Sequence, residues 1–252
     1  MIKRSEGIVL RTFPFGEADL IVTFMTPDLG ILKLFAKSPR KFKSCFGSSL
    51  EPLTYAKIAF WGREDTALPK LTQSDIIHPF QSIRENLDCF LKVSGIIELT
   101  ISFVPERDAN KKAYTLLLHT LQAVEKGFDT HLLTCHYKIK LLHFTGFSPG
   151  LDSCGRCGKT GYSFYISHGS ILCEICSRGM APPLRISPAV LRFYKDLLTW
   201  DTAKVGRIKP TEMLLAELSD IMNMHIKYIL AKPLKTEEYA QTLTITGKQP
   251  MK

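Results

Sequence analysis

Residues 1 to 80 alternate apolar and polar positions in short runs that are rich in β-branched and aromatic side chains. EGIVLRT (6–12), LIVTFMT (20–26), GILKLFAK (30–37), TYAKIAFWG (54–62) and LPKLTQSDI (68–76) predict five strands, separated by PFGEAD, PDLG and similar turn clusters. Five short strands in so few residues suit a small closed barrel. The five-stranded OB-fold is the leading expectation, and an SH3-like barrel fits the count nearly as well.

From residue 81 the apolar period lengthens to that of a helix. Leu87, Phe90, Leu91 and Ile97 are expected on one buried face of a first helix. Residues 110–126 carry Leu117, Leu121 and Val124 and close on Gly127. Asp129 or Thr130 caps a third helix that runs to Gly146 with Leu132, Leu133, Tyr137 and Leu142. Ser187-Pro188 is a cap-then-proline start for a helix ending near Trp200. Residues 211–230 predict the last helix, with Leu214, Leu215, Leu218, Ile221, Met222 and Ile229 as its buried stripe. The fold class is therefore α+β. A barrel domain spans 1–80 and a helical domain spans 81–240, with a four-cysteine module inserted at 150–181 and a polar tail at 241–252.

Seven cysteines do not read as a secreted disulfide scaffold. Cys45, Cys89 and Cys135 are scattered and read as small core residues, while the other four are paired. No secretory h-region and no membrane-length apolar run is present, so a cytoplasmic protein is expected. The formal net charge of +9 favours a polyanionic partner, nucleic acid first and an acidic protein tail or membrane surface after it.

Cys154, Cys157, Cys173 and Cys176 form C-x2-C-x15-C-x2-C, a spacing that fits one tetrahedral Zn²⁺. Gly155, Gly158 and Gly161 are expected to supply left-handed turns around them. A catalytic zinc keeps an open position, whereas four thiolates close the shell, so the reading is structural. His168 lies between the pairs and reads as a solvated loop residue. Arg156, Lys159 and Arg178 are near enough in sequence to offset the formal −2 of a four-thiolate zinc.

The segment KLFAKSPRKFKS places Lys33, Lys37, Arg40, Lys41 and Lys43 between Asp28 and Glu51 with no acid among them. Phe35 and Phe42 are interleaved. Cations of this kind track phosphates while exposed rings stack bases. Phe35 is assigned to the core by its strand position and Phe42 is left open. Residues 1–80 hold 11 basic and 8 acidic side chains, so the asymmetry lies in the loop.

No phosphate loop, G-x-G-x-x-G, H-E-x-x-H or G-x-S-x-G motif occurs, and a non-enzyme is expected. Glu17 and Asp19 read as turn residues. His131 with Cys135, and His136 with His143, read as packed core pairs in preference to metal ligands.

The run EGIVLRTFPFGEADLIVTFMTPDLGILKLFAKS resembles the N-terminal block of the bacterial RecO family of recombination and DNA-repair mediators. The order that follows, helices, two C-x-x-C pairs and two closing helices, is similar over nearly the whole chain. The family's basic loop often reads like K-G-A-R-R, whereas here Ser38-Pro39 replaces the glycine turn. The resemblance implies binding of single- and double-stranded DNA, annealing of complementary strands, and help in loading RecA together with RecR. It also implies contact with the acidic C-terminal tail of single-stranded DNA-binding protein, and a place in the cytoplasm with the nucleoid. Carried over by position, Lys37, Arg40, Lys41, Phe42 and Lys43 match the DNA-contact loop, and Arg11 and Lys33 the barrel face. Cys154, Cys157, Cys173 and Cys176 match the zinc ligands. Two other readings stand beside it: a zinc-stapled scaffold that binds acidic protein tails without a DNA function, and an RNA-binding OB module.

Overall fold

The computed structural model describes residues 1–39, 46–63, 66–161, 163–180 and 183–236. Contacts divide the chain into two compact units. The first comprises Met1–Phe90 and Thr100–Glu125, and the second Leu91–Leu99 and Lys126–Lys252. Residues 40–45, including Cys45, and the polar tail at 241–252 lie outside the described residues.

The first unit is built on strands β1 (Ile2–Phe15), β2 (Asp19–Thr26), β3 (Gly30–Ala36), β4 (Tyr55–Trp61) and β5 (Lys70–His78). They close in the order β1-β2-β3-β5-β4, with β4 returning to β1. All pairs are antiparallel except β3 with β5, which gives the OB-type connectivity and not the SH3-like alternative. β1 is twice the predicted length because its first half pairs with β4 and its second half with β2. The interior holds Val9, Val22, Phe24, Leu32, Leu34, Ala36, Phe46, Leu50, Ala56, Ile58, Phe60 and Leu71. Burying each of the larger of these side chains contributes about 1.5–3 kcal/mol.

Phe35 corrects the sequence expectation. Leu32, Leu34 and Ala36 point into the barrel, so the pleat sends Lys33 and Phe35 outward, and Phe35 is only half-buried. A bulge at Leu10 produces the matching change on β1. Val9 faces the interior, and beyond the extra residue Arg11, Phe13 and Phe15 face out.

Helix α1 (Gln81–Glu85) stops at Asn86, whose side chain accepts from the Cys89 N–H at 3.0 Å and starts α2 (Leu87–Phe103). The expected face of α2 is corrected: Leu87 is exposed, and Phe90 and Leu91 are half-buried. The buried positions are Val93, Ile96, Ile97, Leu99, Thr100 and Phe103, so the stripe begins nearly two turns later. Helix α3 (Lys111–Glu125) buries Leu117, Leu121 and Val124 as expected. The connection before it clamps the start of β3. Arg107 N–H donates to the Ile31 carbonyl at 3.0 Å, and a Cβ on Gly30 (φ +66°) would sit 2.3 Å from the Asp108 carbonyl oxygen.

In the second unit, α4 (Thr130–Thr145) is capped by Asp129 and closed by Gly146 in the left-handed conformation. Strands β6 (Ser163–Tyr165), β7 (Ser170–Leu172) and β8 (Leu184–Arg185) form a small sheet in the order β7-β6-β8. Helices α5 (Pro188–Thr199), α6 (Thr202–Val205) and α7 (Glu212–Leu230) follow, and α6 was not expected from the sequence. On α7, Leu214 and Ile229 are half-buried at its two ends, while Ser219 and His225 join Leu215, Leu218, Ile221 and Met222 inside. Among the described residues no helix is long and apolar enough to cross a membrane.

Gly30→Ala is expected to destabilise the protein by roughly 2–4 kcal/mol, through its positive φ and the Asp108 backbone against it. A denaturant midpoint unchanged from the parent would contradict the clamp on β3.

Candidate nucleic-acid interface and metal centre

The outer face of β1-β2-β3 is ordered in rows set by strand register. Ile8, Met25 and Ile31 form a buried row. Next come Arg11, Thr23 and Lys33, then Phe13, Ile21 and Phe35. The face therefore grades from covered apolar residues to exposed rings: Phe13 is 48% and Phe15 51% exposed. Phe15 meets Phe35 edge-on with ring centroids 5.8 Å apart, and the Arg11 guanidinium lies 5.0 Å from the centre of the Phe13 ring. Phe13 and Phe15 were missed by the sequence reading. Their signal was the spacing Arg11-x-Phe13-x-Phe15, one face of a strand with a period of two.

The candidate cations differ in availability. Arg11 and Lys37 are exposed, but Lys33 is ion-paired with Glu106. Arg40, Lys41, Phe42 and Lys43 lie outside the described residues. Two residues before Arg40, Ser38 adopts φ +53°, the left-handed conformation usually left to glycine. Its N–H donates to the Asp19 carboxylate at 2.6 Å, which gives Asp19 a definite role: it holds Ser38 in a backbone conformation that glycine adopts more readily.

In the second unit the Sγ atoms of Cys154, Cys157, Cys173 and Cys176 all lie within 4.8 Å of one another, and Cys157 and Cys173 are 3.5 Å apart. Sulfurs at the corners of a tetrahedron around zinc, each about 2.3 Å from the ion, are roughly 3.8 Å apart, so the cluster has the right size. Each pair sits on a turn. Gly158 N–H donates to the Cys154 carbonyl at 2.8 Å, and Ser177 N–H to that of Cys173 at 3.1 Å. The glycine expectation needs correcting. Gly158 alone of the three has a positive φ; Gly155 and Gly161 are required because a Cβ there would meet Ser170 Oγ at 2.4 Å or the Leu172 carbonyl oxygen at 2.7 Å.

The backbone N–H of Cys173, with those of Arg156 and Cys157, holds the Cys154 thiol down, at about 6. Cys173 is also lowered, chiefly by the Cys176 N–H. Cys176 is pushed up, to about 12, by hydrogen bonds shared with the Cys157 and Cys173 sulfurs. Four thiolates this close repel one another unless a cation lies among them, and the all-sulfur donor set suits a soft divalent ion. Arg156 donates to the Cys176 carbonyl at 3.0 Å and approaches His168, which is exposed and outside the sulfur cluster.

The other candidates separate. His136 is fully buried, with its Nε2 3.2 Å from the Trp200 carbonyl oxygen, and Cys135 is buried with its thiol raised to about 11 by desolvation. His131 and His143 are exposed, so neither expected core pair forms.

Family models give this geometry a lineage. The model described as Recombination protein O N terminal matches residues 1–80, and Recombination protein O C terminal matches residues 84–238. The chain belongs to the RecO family. The DNA repair protein RecO of Thermodesulfovibrio yellowstonii is 42% identical over 90% of this chain and 92% of its own length. Those of Dehalococcoides mccartyi and Desulforamulus reducens are each 30% identical over 96% of this chain, covering 96% and 95% of their own lengths.

Burial lowers His136 to about 4, so its neutral form is favoured on folding. The unfolded chain then binds more protons below pH 6.5. The stability His136 contributes is complete above that pH and is lost as pH falls towards 4, by about 3 kcal/mol in all. His136→Gln is expected to flatten this acid limb in urea titrations. An acid limb as steep as that of the parent would contradict the assignment.

Proposed function

We propose that the protein is a non-catalytic DNA-binding mediator of recombinational repair that binds single- and double-stranded DNA and anneals complementary strands. The observation that carries the reading is the outer face of the OB barrel, where Arg11, Phe13, Phe15 and Phe35 lie beside Lys37 and lead into the basic segment with Arg40, Lys41, Phe42 and Lys43. Membership of the RecO family, whose relatives carry the name DNA repair protein, supports it. Rings that stack on bases contribute about 1–3 kcal/mol each, and the cations screen phosphate repulsion. Annealing then needs no catalytic group: reduced repulsion between two strands lowers the barrier to pairing. Lys33 contributes less than its position suggests, because Glu106 already neutralises it. Loading of RecA with RecR belongs to this reading by family membership alone.

A cleft beside the cysteines favours a second, compatible partner. Lys159 and Arg185 outnumber Glu174 in its lining, beside Leu172, Ile175, Ile186 and Pro188, a net-basic and partly apolar mixture suited to an acidic tail such as that of single-stranded DNA-binding protein. On this reading the protein acts with the nucleoid in the cytoplasm. The four cysteines hold one structural Zn²⁺, which crosslinks the two turns of a module with little core of its own.

Phe13→Ala with Phe15→Ala is expected to weaken binding to single-stranded oligonucleotides by roughly 2–4 kcal/mol with little change in salt slope. Replacing Lys37, Arg40, Lys41 and Lys43 by Gln should flatten that slope by about 3 on single strands. Fluorescence anisotropy across a salt series checks both, and parental affinity and slope in both variants would sink the reading.

The parent should carry one zinc per chain by elemental analysis. Cys154→Ser with Cys173→Ser should lose it together with thermal stability. A metal-free parent with the same melting temperature would contradict the structural zinc.

A further inference from the structure

The net charge is concentrated away from the barrel unit. The second unit holds 18 basic and 11 acidic side chains, against 15 and 13 in the first, so it carries +7 of the total +9. Part of this excess lies in one short connection. Between Asp201 and Glu212 the chain reads TAKVGRIKPT, with Lys204, Arg207 and Lys209 and no acid.

This connection is pinned from beneath. Val205 is fully buried and Thr202 nearly so, and Asp201 caps α6 by accepting from Lys204 N–H at 2.7 Å. Gly206 packs so closely on Phe128 that a Cβ would fall 2.2 Å from its ring. With its apolar side fixed, the connection turns all three cations to solvent. Lys204 lies over the Trp200 ring, 4.2 Å from its centre, and Arg207 and Lys209 have no anionic partner among the described residues. Elsewhere comparable cations are neutralised: Lys33 by Glu106, Lys111 by Asp28 and Arg84 by Glu51.

We infer that the connection from α5 to α7, through Lys204, Arg207 and Lys209, is a second phosphate-backbone site that holds a nucleic-acid strand separate from the one on the barrel face. The inference rests on the DNA-binding reading above and extends it. A strand-annealing protein gains most from screening both strands, and a second cationic surface holds an incoming strand on the same protein without covering its bases. The ligand is the sugar-phosphate chain, recognised by charge and not by sequence.

The test is capture of a second strand. The full-length protein is loaded on an immobilised oligothymidylate, washed, and offered a labelled oligothymidylate that cannot pair with the first. With K204Q, R207Q and K209Q combined, capture at 0.1 M salt is expected to fall at least about tenfold, and its salt slope to flatten by about 2. A direct reading comes from Trp61→Phe, which leaves Trp200 as the sole tryptophan of the two in the chain. Its emission should change on strand addition as Lys204 is drawn from the ring, and that change should vanish in the triple variant. Capture equal to that of the parent, with silent Trp200, would overturn this inference alone. Loss of polyglutamate binding in the triple variant with strand capture intact would overturn it in favour of an acidic protein partner. A parent that bound no first strand would sink the DNA-binding reading itself.

Discussion

Closure of the barrel between β3 and β5 is the constraint on which the rest of the first unit depends. It is the sole parallel contact among the five strands, resting on Phe35 opposite Lys70, Ala36 opposite Leu71, and a 2.8 Å bond from the Phe35 N–H to the Pro69 carbonyl. Once the barrel closes, its interior takes Leu32, Leu34 and Ala36, and the pleat leaves Lys33 and Phe35 no choice of side. The Leu10 bulge then decides which residues of β1 join them. Without that extra residue, Arg11, Phe13 and Phe15 would face the core, and all three charged or bulky groups would have to be buried. A register shift therefore makes the aromatic and basic face as well as permitting it.

The second unit faces a different constraint. Its three-stranded sheet has strands of two or three residues, and the cluster around the cysteines contains few apolar side chains. Such a module cannot repay its conformational entropy by burial alone. Four sulfurs within reach of one another would supply a crosslink where core is lacking once an ion lies among them, and glycines at 155 and 161 let the turns approach the sheet closely enough for this. The same unit carries most of the positive charge, so the metal module and the cationic surface share one folded body.

Much of this was legible in the sequence. The strand runs gave the barrel, the cap residues Asp129, Ser187 and Thr211 start the helices where expected, and the cysteine spacing anticipated the cluster. The failures have physical causes. Phe35 looked like a core residue because alternation gives the period but not the phase, which barrel closure fixes. Phe13 and Phe15 were passed over because a bulge changes the phase within a strand and leaves no mark in composition. Lys33 looked free because Glu106 is 73 positions away in the chain. The basic stretch at 204–209 escaped notice because three cations are unremarkable until their apolar neighbours are seen to hold them outward.

In the proposed function, the outer face of β1-β2-β3 receives the bases of DNA. Ultraviolet crosslinking of the full-length protein to a short single-stranded oligonucleotide, with adducts located by peptide mass spectrometry, tests it most directly. Adducts are expected on the peptides that carry Phe13, Phe15 and Phe35. Adducts confined to β4 and β5, with the three phenylalanines unmodified at saturating oligonucleotide, would contradict it.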